Sequence, residues 1–232
     1  MDDAGHHGVL ALIGGEEFEE ACRDIDAVLL EAASTKDVLV IPTAAAFENP
    51  NKVVGAAEAY FAGLGAEVRS LMVLHHAEAD DRNAASVARD AGFIYLPGGS
   101  PMHLRAVLYG SALWEGILEA HRGGAVLAAS GSGAVVLCNP MIDPRGGAYT
   151  VGLGLLANVA VFPHHDTLPE HLWERVVDLR PATTLLVGID ERTAIIRDPS
   201  GSWRALGGGK VTVVGDDLSQ TYSSGPVDAL TI

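Results

Sequence analysis

The chain has 232 residues, of which 48% are hydrophobic and 6% aromatic, with 27 glycines; this composition is typical of a globular protein with many tight turns and excludes a disordered one. A formal net charge of −15 would repel phosphate backbones and anionic lipids, which argues against nucleic acid and membrane surfaces as partners. The length suits one sizeable core, so we expect residues 1–232 to form a single α/β domain.

The sequence has no pattern that indicates export or a membrane anchor. The N-terminal sequence MDDAGHHG carries acids where a signal peptide needs a positive region, and no apolar run approaches the roughly 20 residues of a membrane span. We therefore expect a cytoplasmic protein.

Cys22 and Cys138 lie in segments predicted as helices with an apolar face, which indicates buried free thiols and neither a disulfide nor a metal site.

Strand, turn and helix patterns alternate along the first half of the chain. Buried strands are predicted at residues 9–13 and 37–41, and further strands at 67–73 and 93–96. Helices are predicted at about 18–29, 51–64, 83–90, 102–109 and 111–120, with Glu16 and Glu17 in the first turn of the first one. Because parallel neighbours need a crossover that is normally a helix, this alternation predicts a doubly wound, mostly parallel sheet with helices on both faces.

The second half of the chain has shorter and more β-like segments. Strands are predicted at residues 159–162 and 185–189. Segments 193–196, 203–206 and 211–214 favour an antiparallel set, the last two joined through Gly207–Lys210. We expect this half to form a short antiparallel C-terminal extension that completes the sheet edge and one wall of a site.

The stretch Gly124–Cys138 (GAVLAASGSGAVVLC) organises the chain. An apolar run breaks without a spacer into small residues and then resumes, which is typical of a nucleophile elbow, where a buried strand turns sharply into a helix and holds one side chain above the sheet. The apex of this turn is a glycine. A glycine-rich turn that binds phosphate or only packs closely is the alternative interpretation.

A second glycine-rich turn follows the strand at 93–96. In an open α/β sheet, ligands bind outside the carboxyl ends of the strands, which is where Gly98, Gly99 and Ser100 fall. Their backbone N–H groups could point at a developing oxyanion from the start of the next helix. The turn could equally serve close packing.

Two histidines and an acid, His164, His165 and Asp166, follow the strand at 159–162. An imidazole at this position suits general-base work, because its ordinary pKa lets it exchange a proton near neutral pH. If the strand continues, adjacent side chains point in opposite directions, and only one histidine faces the site. The other would then be structural.

Acidic and basic side chains offer partners for these histidines and for a ligand. Asp190 and Glu191 follow the strand at 185–189, where a carboxylate could orient an imidazole; a helix cap or surface charge is the alternative. Arg145 could bind a substrate carboxylate or form a plain salt bridge. A metal site that uses a histidine of the 164–165 pair with Asp166 or Glu191 is conceivable, but we expect no metal and no cofactor.

Several motifs taken together resemble the cyanophycinase and α-aspartyl dipeptidase family of serine peptidases over most of the chain. These motifs are YLPGGSPMHL at Tyr95–Leu104, GAVLAASGSGA at Gly124–Ala134, GLGLL at Gly152–Leu156, HHD at His164–Asp166 and GIDERTA at Gly188–Ala194. The resemblance implies a sheet like that of class I glutamine amidotransferases, a Ser-His-Glu or Ser-His-Asp triad and no metal. It also implies a peptide or small-molecule substrate.

The resemblance assigns roles to individual residues. It implies that His165 is the base, that Glu191 orients it, and that the backbone of Gly99 contributes to the oxyanion hole. Members of the family typically have Gly-Thr/Ser-Ser-Ala-Gly-Ala at the elbow, and the gapless match aligns Gly131 with the nucleophilic serine. The expected nucleophile is therefore missing from its place.

Three explanations of the missing serine follow. Ser130 or Ser132 attacks instead and the protein cleaves a peptide or isopeptide bond by acyl transfer, although a displacement of about 1 Å can cost about a hundredfold in rate. Alternatively, His165 moves protons on a bound substrate without a covalent intermediate. The third explanation is a catalytically silent protein that binds a peptide or metabolite, or an active peptidase whose serine was replaced by glycine. A homodimer is compatible with the sequence.

Overall fold

The computed structural model of the protein describes residues 7–230; the acidic segment 1–6, considered above in relation to signal peptides, lies outside the described residues. The helices are α1 (Arg23–Ala32), α2 (Pro50–Ala62), α3 (His76–Ala79), α4 (Arg82–Arg89), α5 (Pro101–Leu108), α6 (Ala112–Arg122), α7 (Ser132–Leu137) and α8 (Glu170–Asp178). The strands are β1 (Leu10–Ile13), β2 (Asp37–Val40), β3 (Glu67–Ser70), β4 (Phe93–Leu96), β5 (Val126–Ser130), β6 (Cys138–Asn139), β7 (Met141–Asp143), β8 (Ala148–Thr150), β9 (Leu156–Ala157), β10 (Val159–Phe162), β11 (Leu185–Ile189), β12 (Thr193–Arg197), β13 (Trp203–Gly207), β14 (Val211–Val214), β15 (Ser219–Tyr222) and β16 (Gly225–Pro226).

The larger sheet has eight strands in the order β16-β13-β12-β1-β5-β4-β2-β3. Strands β1 to β5 pair in parallel, and β12, β13 and β16 extend the edge beside β1 in antiparallel pairing. The predicted mixed α/β fold with a mostly parallel sheet is thus confirmed.

Helices cover both faces of this sheet because the parallel strands bury both sets of their alternating side chains. Leu10 and Leu12 of β1 belong to one hydrophobic cluster, which includes residues of α4 to α7. Ala11 and Ile13 point to the other face and pack in a second cluster with α1 and α2. The continuous apolar runs of the sequence therefore reflect burial on two sides.

A second sheet has six strands in the order β15-β14-β11-β10-β6-β9. Its two central strands, β10 and β11, are parallel, and α8 packs on it through Val176 in a third cluster. The predicted pairing of β13 with β14 is wrong, because β14 pairs with β11. Gly207, at φ +127, turns the chain away from the larger sheet before β14 begins, a conformation that favours glycine.

The start of the first helix also differs from the prediction. Glu16 and Phe18 have positive φ angles of 58 and 65, so the chain loops at Glu17, and α1 begins only after a short 3-10 turn at Glu20–Cys22. The first-turn position predicted for Glu17 is therefore wrong. Helices α3 and α8 were not predicted from the sequence.

The two cysteines agree with the prediction, since both are free and buried. Burial raises the pKa of the Cys22 thiol and that of the Cys138 thiol to about 12 each, which makes both poor nucleophiles. None of the helices within residues 7–230 has the length and apolar character needed to cross a bilayer.

Candidate active site

The sharp turn between β5 and α7 places Gly131 at the carboxyl end of β5. We call residues 129–133 the elbow. Gly131 has φ +51 and ψ −113, a conformation that side chains disfavour, and its N–H donates to the oxygen of Ile13 at 2.9 Å. Behind it, a Cβ built on Gly133 would lie 2.4 Å from the oxygen of Leu96. The elbow therefore has the positive-φ backbone and close packing of a nucleophile elbow.

His164 faces the apex of this turn. A Cβ built on Gly131 would lie 3.6 Å from Nε2 of His164. On the opposite side of the ring, Nδ1 lies 2.9 Å from Oε1 of Glu191. Because a carboxylate only accepts hydrogen bonds, Nδ1 is the donor and Nε2 of the neutral ring is left as an acceptor directed at Gly131. This arrangement is that of a base held by an acid.

His165 belongs to a different pair. Its Nδ1 lies 3.1 Å from Oδ1 of Asp190, and Oδ2 of Asp190 accepts from the N–H of Lys210 at 2.8 Å. The ring packs edge-on against Trp173, with centroids 4.4 Å apart. The structure agrees with the expectation that only one of the two histidines faces the site. The predicted pairing of His165 with Glu191 is wrong, because Glu191 pairs with His164 and His165 pairs with Asp190.

The crossed pairing has a local cause. Strands β10 and β11 align Phe162 with Gly188, and extending that register would set His165 opposite Glu191. Strand β10 ends at Phe162, and His164 then adopts a positive φ of 54. The chain leaves the strand geometry, so the side-chain alternation of the strand no longer applies.

The two serines of the elbow direct their hydroxyl groups elsewhere. Ser130 is fully buried, and its Oγ donates to Oε2 of Glu17 at 2.7 Å. Oγ of Ser132, at the first position of α7, donates to the backbone oxygen of Gly99. Neither serine occupies the apex.

The turn Gly98–Ser100 borders the elbow. Gly98 donates its N–H to Oε1 of Glu17 at 2.7 Å, and its Cα would lie 3.8 Å from a Cβ at Gly131. Gly99 has φ +138, and Ser100 caps α5 by accepting from the N–H of His103. The N–H groups of Gly99 and Ser132 donate to no other residue of the described range 7–230, so both are available for a ligand oxygen.

The two remaining predicted ligand-binding residues have local partners. Oδ1 of Asp166 accepts from the N–H of Glu191 at 2.9 Å, which helps to fix that carboxylate. Arg145 lies on a surface turn with its side chain 75% exposed and paired with Asp143. Within the described chain, no group of three or more His, Cys, Asp and Glu side chains is arranged to hold a metal ion.

Sequence reasoning missed two residues that build this site. The carboxylate of Glu17 joins the elbow to the 98–100 turn through Ser130 and Gly98. Gly15 lets the base approach, since a Cβ there would lie 2.2 Å from Cε1 of His164. The Gly-Gly pair after β1 signalled a tight turn, but nothing in the sequence linked it to position 164.

A cavity of about 250 Å³ opens beside the elbow. Gly99, Ser132 and His164 form its polar edge, and most of the remaining wall is apolar. The cavity extends from the potential reacting atoms toward the second sheet and α8. The cavity is therefore positioned to hold one group of a ligand that lies above Gly131.

Comparisons with known proteins agree on one family. Residues 10–201 match the model of the family described as Peptidase family S51. The cyanophycinase of Synechococcus elongatus is 29% identical over 94% of this chain and 71% of the relative, and that of a Nostoc species is 28% identical over 93% and 76%.

Solved structures extend this similarity to three dimensions. A peptidase from an acI-B1 Actinobacterium superimposes with a TM-score of 0.87 and 31% identity, over 96% of this chain and 98% of that one. A protein from Listeria monocytogenes, with a TM-score of 0.63 and 21% identity over 91% of this chain and 100% of that one, has the same fold.

Proposed function

Because the chain belongs to peptidase family S51, we propose that it is a peptidase-like protein that binds a peptide or isopeptide group above Gly131 without forming a covalent acyl-enzyme. The observation that carries this proposal is the glycine at the apex of the elbow, whose Cβ position lies 3.6 Å from Nε2 of His164. Glycine has no atom that can attack a carbonyl carbon. The groups around it can still hold the ligand that a complete site would process.

Three groups around Gly131 support ligand binding. The N–H groups of Gly99 and Ser132 can donate to the carbonyl oxygen of an amide. Nε2 of His164 can accept from a ligand N–H, because Glu191 holds Nδ1. Together they complement the donor and acceptor of one peptide group.

The contacts of the neighbouring serines argue against a displaced nucleophile. Ser130 would have to break its hydrogen bond to Glu17 and leave a buried position. Ser132 is bound to the oxygen of Gly99. Because misplacement by about 1 Å can already cost about a hundredfold in rate, acyl transfer through either hydroxyl is disfavoured.

A second candidate function is hydrolysis by water with His164 as the base. The observation that favours it is the hydrogen bond between His164 and Glu191, which simple binding does not need. The water oxygen would bond to the carbonyl carbon while its proton passes to Nε2. Nε2 would then give the proton to the leaving amine as the C–N bond breaks, with Glu191 stabilising the imidazolium in between.

A fluorophosphonate probe and a panel of short peptides test the proposal. We expect no covalent labelling of the protein and saturable peptide binding by calorimetry, whereas Gly131→Ser should be labelled at the new serine. Labelling of the unaltered protein at Ser130 or Ser132 would overturn the proposal in favour of acyl transfer. Absence of binding by any peptide would also overturn it.

The same panel separates binding from water-dependent hydrolysis. Turnover without labelling that disappears in His164→Gln and persists in His165→Gln would establish the second candidate. His165→Gln is the matched control because it changes an adjacent imidazole that pairs with Asp190. Binding without turnover in the unaltered protein leaves the first proposal standing.

A further inference from the structure

The wall of the cavity beside the elbow is built from apolar side chains. It is lined by Val135 of α7, Ile142 of β7, Phe162 of β10, Leu168 just before α8 and Leu172 of α8. Ile142 and Phe162 are 3% exposed each and belong to the core of the second sheet. The wall is thus part of a packed cluster, which keeps its shape fixed before a ligand enters.

The apolar wall of the cavity, as formed by the described part of the chain, carries no charged side chain. None of the described residues that line it is Asp, Glu, Lys or Arg, and His164 is its only titratable side chain. Arg145, the candidate for binding a carboxylate, pairs with Asp143 on the surface. Because burying a charge without a partner is strongly unfavourable, an aspartyl or arginyl side chain does not fit this wall.

The size of the cavity sets the size of its occupant. Its volume of about 250 Å³ lies below the range of about 300–1,000 Å³ that is typical of sites for drug-sized ligands. A single aliphatic side chain with the adjoining backbone suits it. The polar edge formed by Gly99, Ser132 and His164 lies where that backbone would be bound.

We infer that this cavity selects a leucine-like aliphatic side chain next to the peptide group held above Gly131. This inference rests on the proposed function and names its ligand class: a neutral peptide with an aliphatic residue, in preference to aspartyl and arginyl peptides. The apolar wall supplies affinity for the side chain, and the backbone donors orient the amide.

Calorimetric titration with blocked peptides tests the preference. In acetyl-Gly-X-Gly-amide, X is leucine, alanine, aspartate or arginine. Leucine should bind tightest, and alanine about tenfold to a hundredfold more weakly, the cost of removing a few methyl and methylene groups from an apolar pocket. Aspartate and arginine should bind more weakly than alanine.

Two exposed leucines provide a matched pair of variants. Leu168 is 37% exposed and lines the cavity, whereas Leu179 is 45% exposed and lies outside it. Leu168→Asp should remove most of the preference for leucine over alanine, and Leu179→Asp should leave it unchanged. Because both positions are exposed, we expect both variants to fold.

The outcomes separate this inference from the function on which it rests. Tighter binding of the aspartate or arginine peptide would overturn the aliphatic preference and leave peptide binding intact. A leucine preference that survives Leu168→Asp would also overturn it, because the side chain would then bind elsewhere. If no peptide binds, the proposed function fails, and the inference fails with it.

Discussion

Two histidine–carboxylate pairs lie side by side in this protein, have similar hydrogen-bond lengths and differ in their surroundings. His164 and Glu191 are 2.9 Å apart, and His165 and Asp190 are 3.1 Å apart. The His164 side chain is 38% exposed and that of His165 is 21% exposed. A hydrogen bond to a carboxylate therefore does not identify a base; the surroundings of the second ring nitrogen do.

The ring of His165 packs against aromatic side chains of the protein. Phe162 and Trp173 pack against its ring, and Asp190 ties it to the backbone of Lys210, so the pair joins β10 and β11 to the start of β14. Nε2 of His164 instead faces a glycine at the elbow. One pair holds the second sheet together, and the other is available to a ligand.

The largest expected effect comes from introducing a serine at position 131 and then removing each imidazole. We expect Gly131→Ser to gain hydrolysis of peptides that the unaltered protein binds. In that variant His164→Gln should lower kcat/KM by about 10³-fold or more, by analogy with loss of a triad base, and His165→Gln by less than about tenfold. Steady-state kinetics measure both, and an equal loss in the two double variants would erase the distinction between the pairs.

Alanine at either of two glycines should displace one of the imidazole rings while leaving the histidine itself unchanged. A Cβ on Gly15 would lie 2.2 Å from Cε1 of His164, and one on Gly188 would lie 2.7 Å from Cδ2 of His165. In the Gly131→Ser background, Gly15→Ala should lower kcat/KM by about a hundredfold, because it misplaces His164. Since Gly15 has φ +130, this variant should also lose about 1–3 kcal/mol in the free energy of unfolding through backbone strain. Gly188→Ala should lower the free energy of unfolding by about 1–3 kcal/mol through overpacking but kcat/KM by less than about tenfold. Steady-state kinetics and urea unfolding measure both variants, and a larger loss of kcat/KM in Gly188→Ala than in Gly15→Ala would contradict these roles.

The carboxylate of the structural pair should matter for stability. Asp190→Asn leaves either His165 or the N–H of Lys210 without an acceptor, because the amide has a single acceptor oxygen, and we expect a loss of about 1–3 kcal/mol in the free energy of unfolding. Asp216→Asn is the control, because its side chain is 65% exposed and an exposed pair contributes at most about 1 kcal/mol. Equal midpoints for the two variants in urea would contradict the structural role of Asp190.

The smallest effect is expected at Glu17, which contacts neither histidine. Glu17→Gln keeps one acceptor for Gly98 or Ser130 but weakens the link between the 98–100 turn and the elbow. Peptide affinity should fall by about fivefold, the equivalent of about 1 kcal/mol, without a change at the His165 pair. Calorimetric titration measures the peptide affinity, and nuclear magnetic resonance of the imidazole protons checks that the His165 pair is unchanged. A shift of the His165 signals alone would refute the prediction.

The scaffold was predictable from sequence because buried parallel strands produce a strong signal. Strands such as Phe93–Leu96 and Leu185–Ile189 begin and end where predicted, since both faces are apolar and the flanking residues are turn formers. The pairing of β14 with β11 was not predictable in this way, because neighbouring segments favour a hairpin and only the three-dimensional path at Gly207 excludes it.

The residues of the site were predictable only as a set. The motifs identified the segments that carry Gly99, Gly131, His164 and Glu191, but the partner of each acid depends on a single positive φ at His164. Glu17 could not be assigned either, because its function depends on contacts with residues more than 80 positions away. Such contacts leave no local pattern in one sequence.

The backbone of Gly131 also affects how much sequence change the fold can absorb. At φ +51 and ψ −113, a residue with a side chain costs about 1–3 kcal/mol of strain, a sizeable share of the roughly 5–15 kcal/mol that stabilises a typical protein. Glycine removes that strain. The chain should therefore tolerate substitutions elsewhere that a relative with serine at this position could not, and its evolution is expected to be correspondingly less constrained.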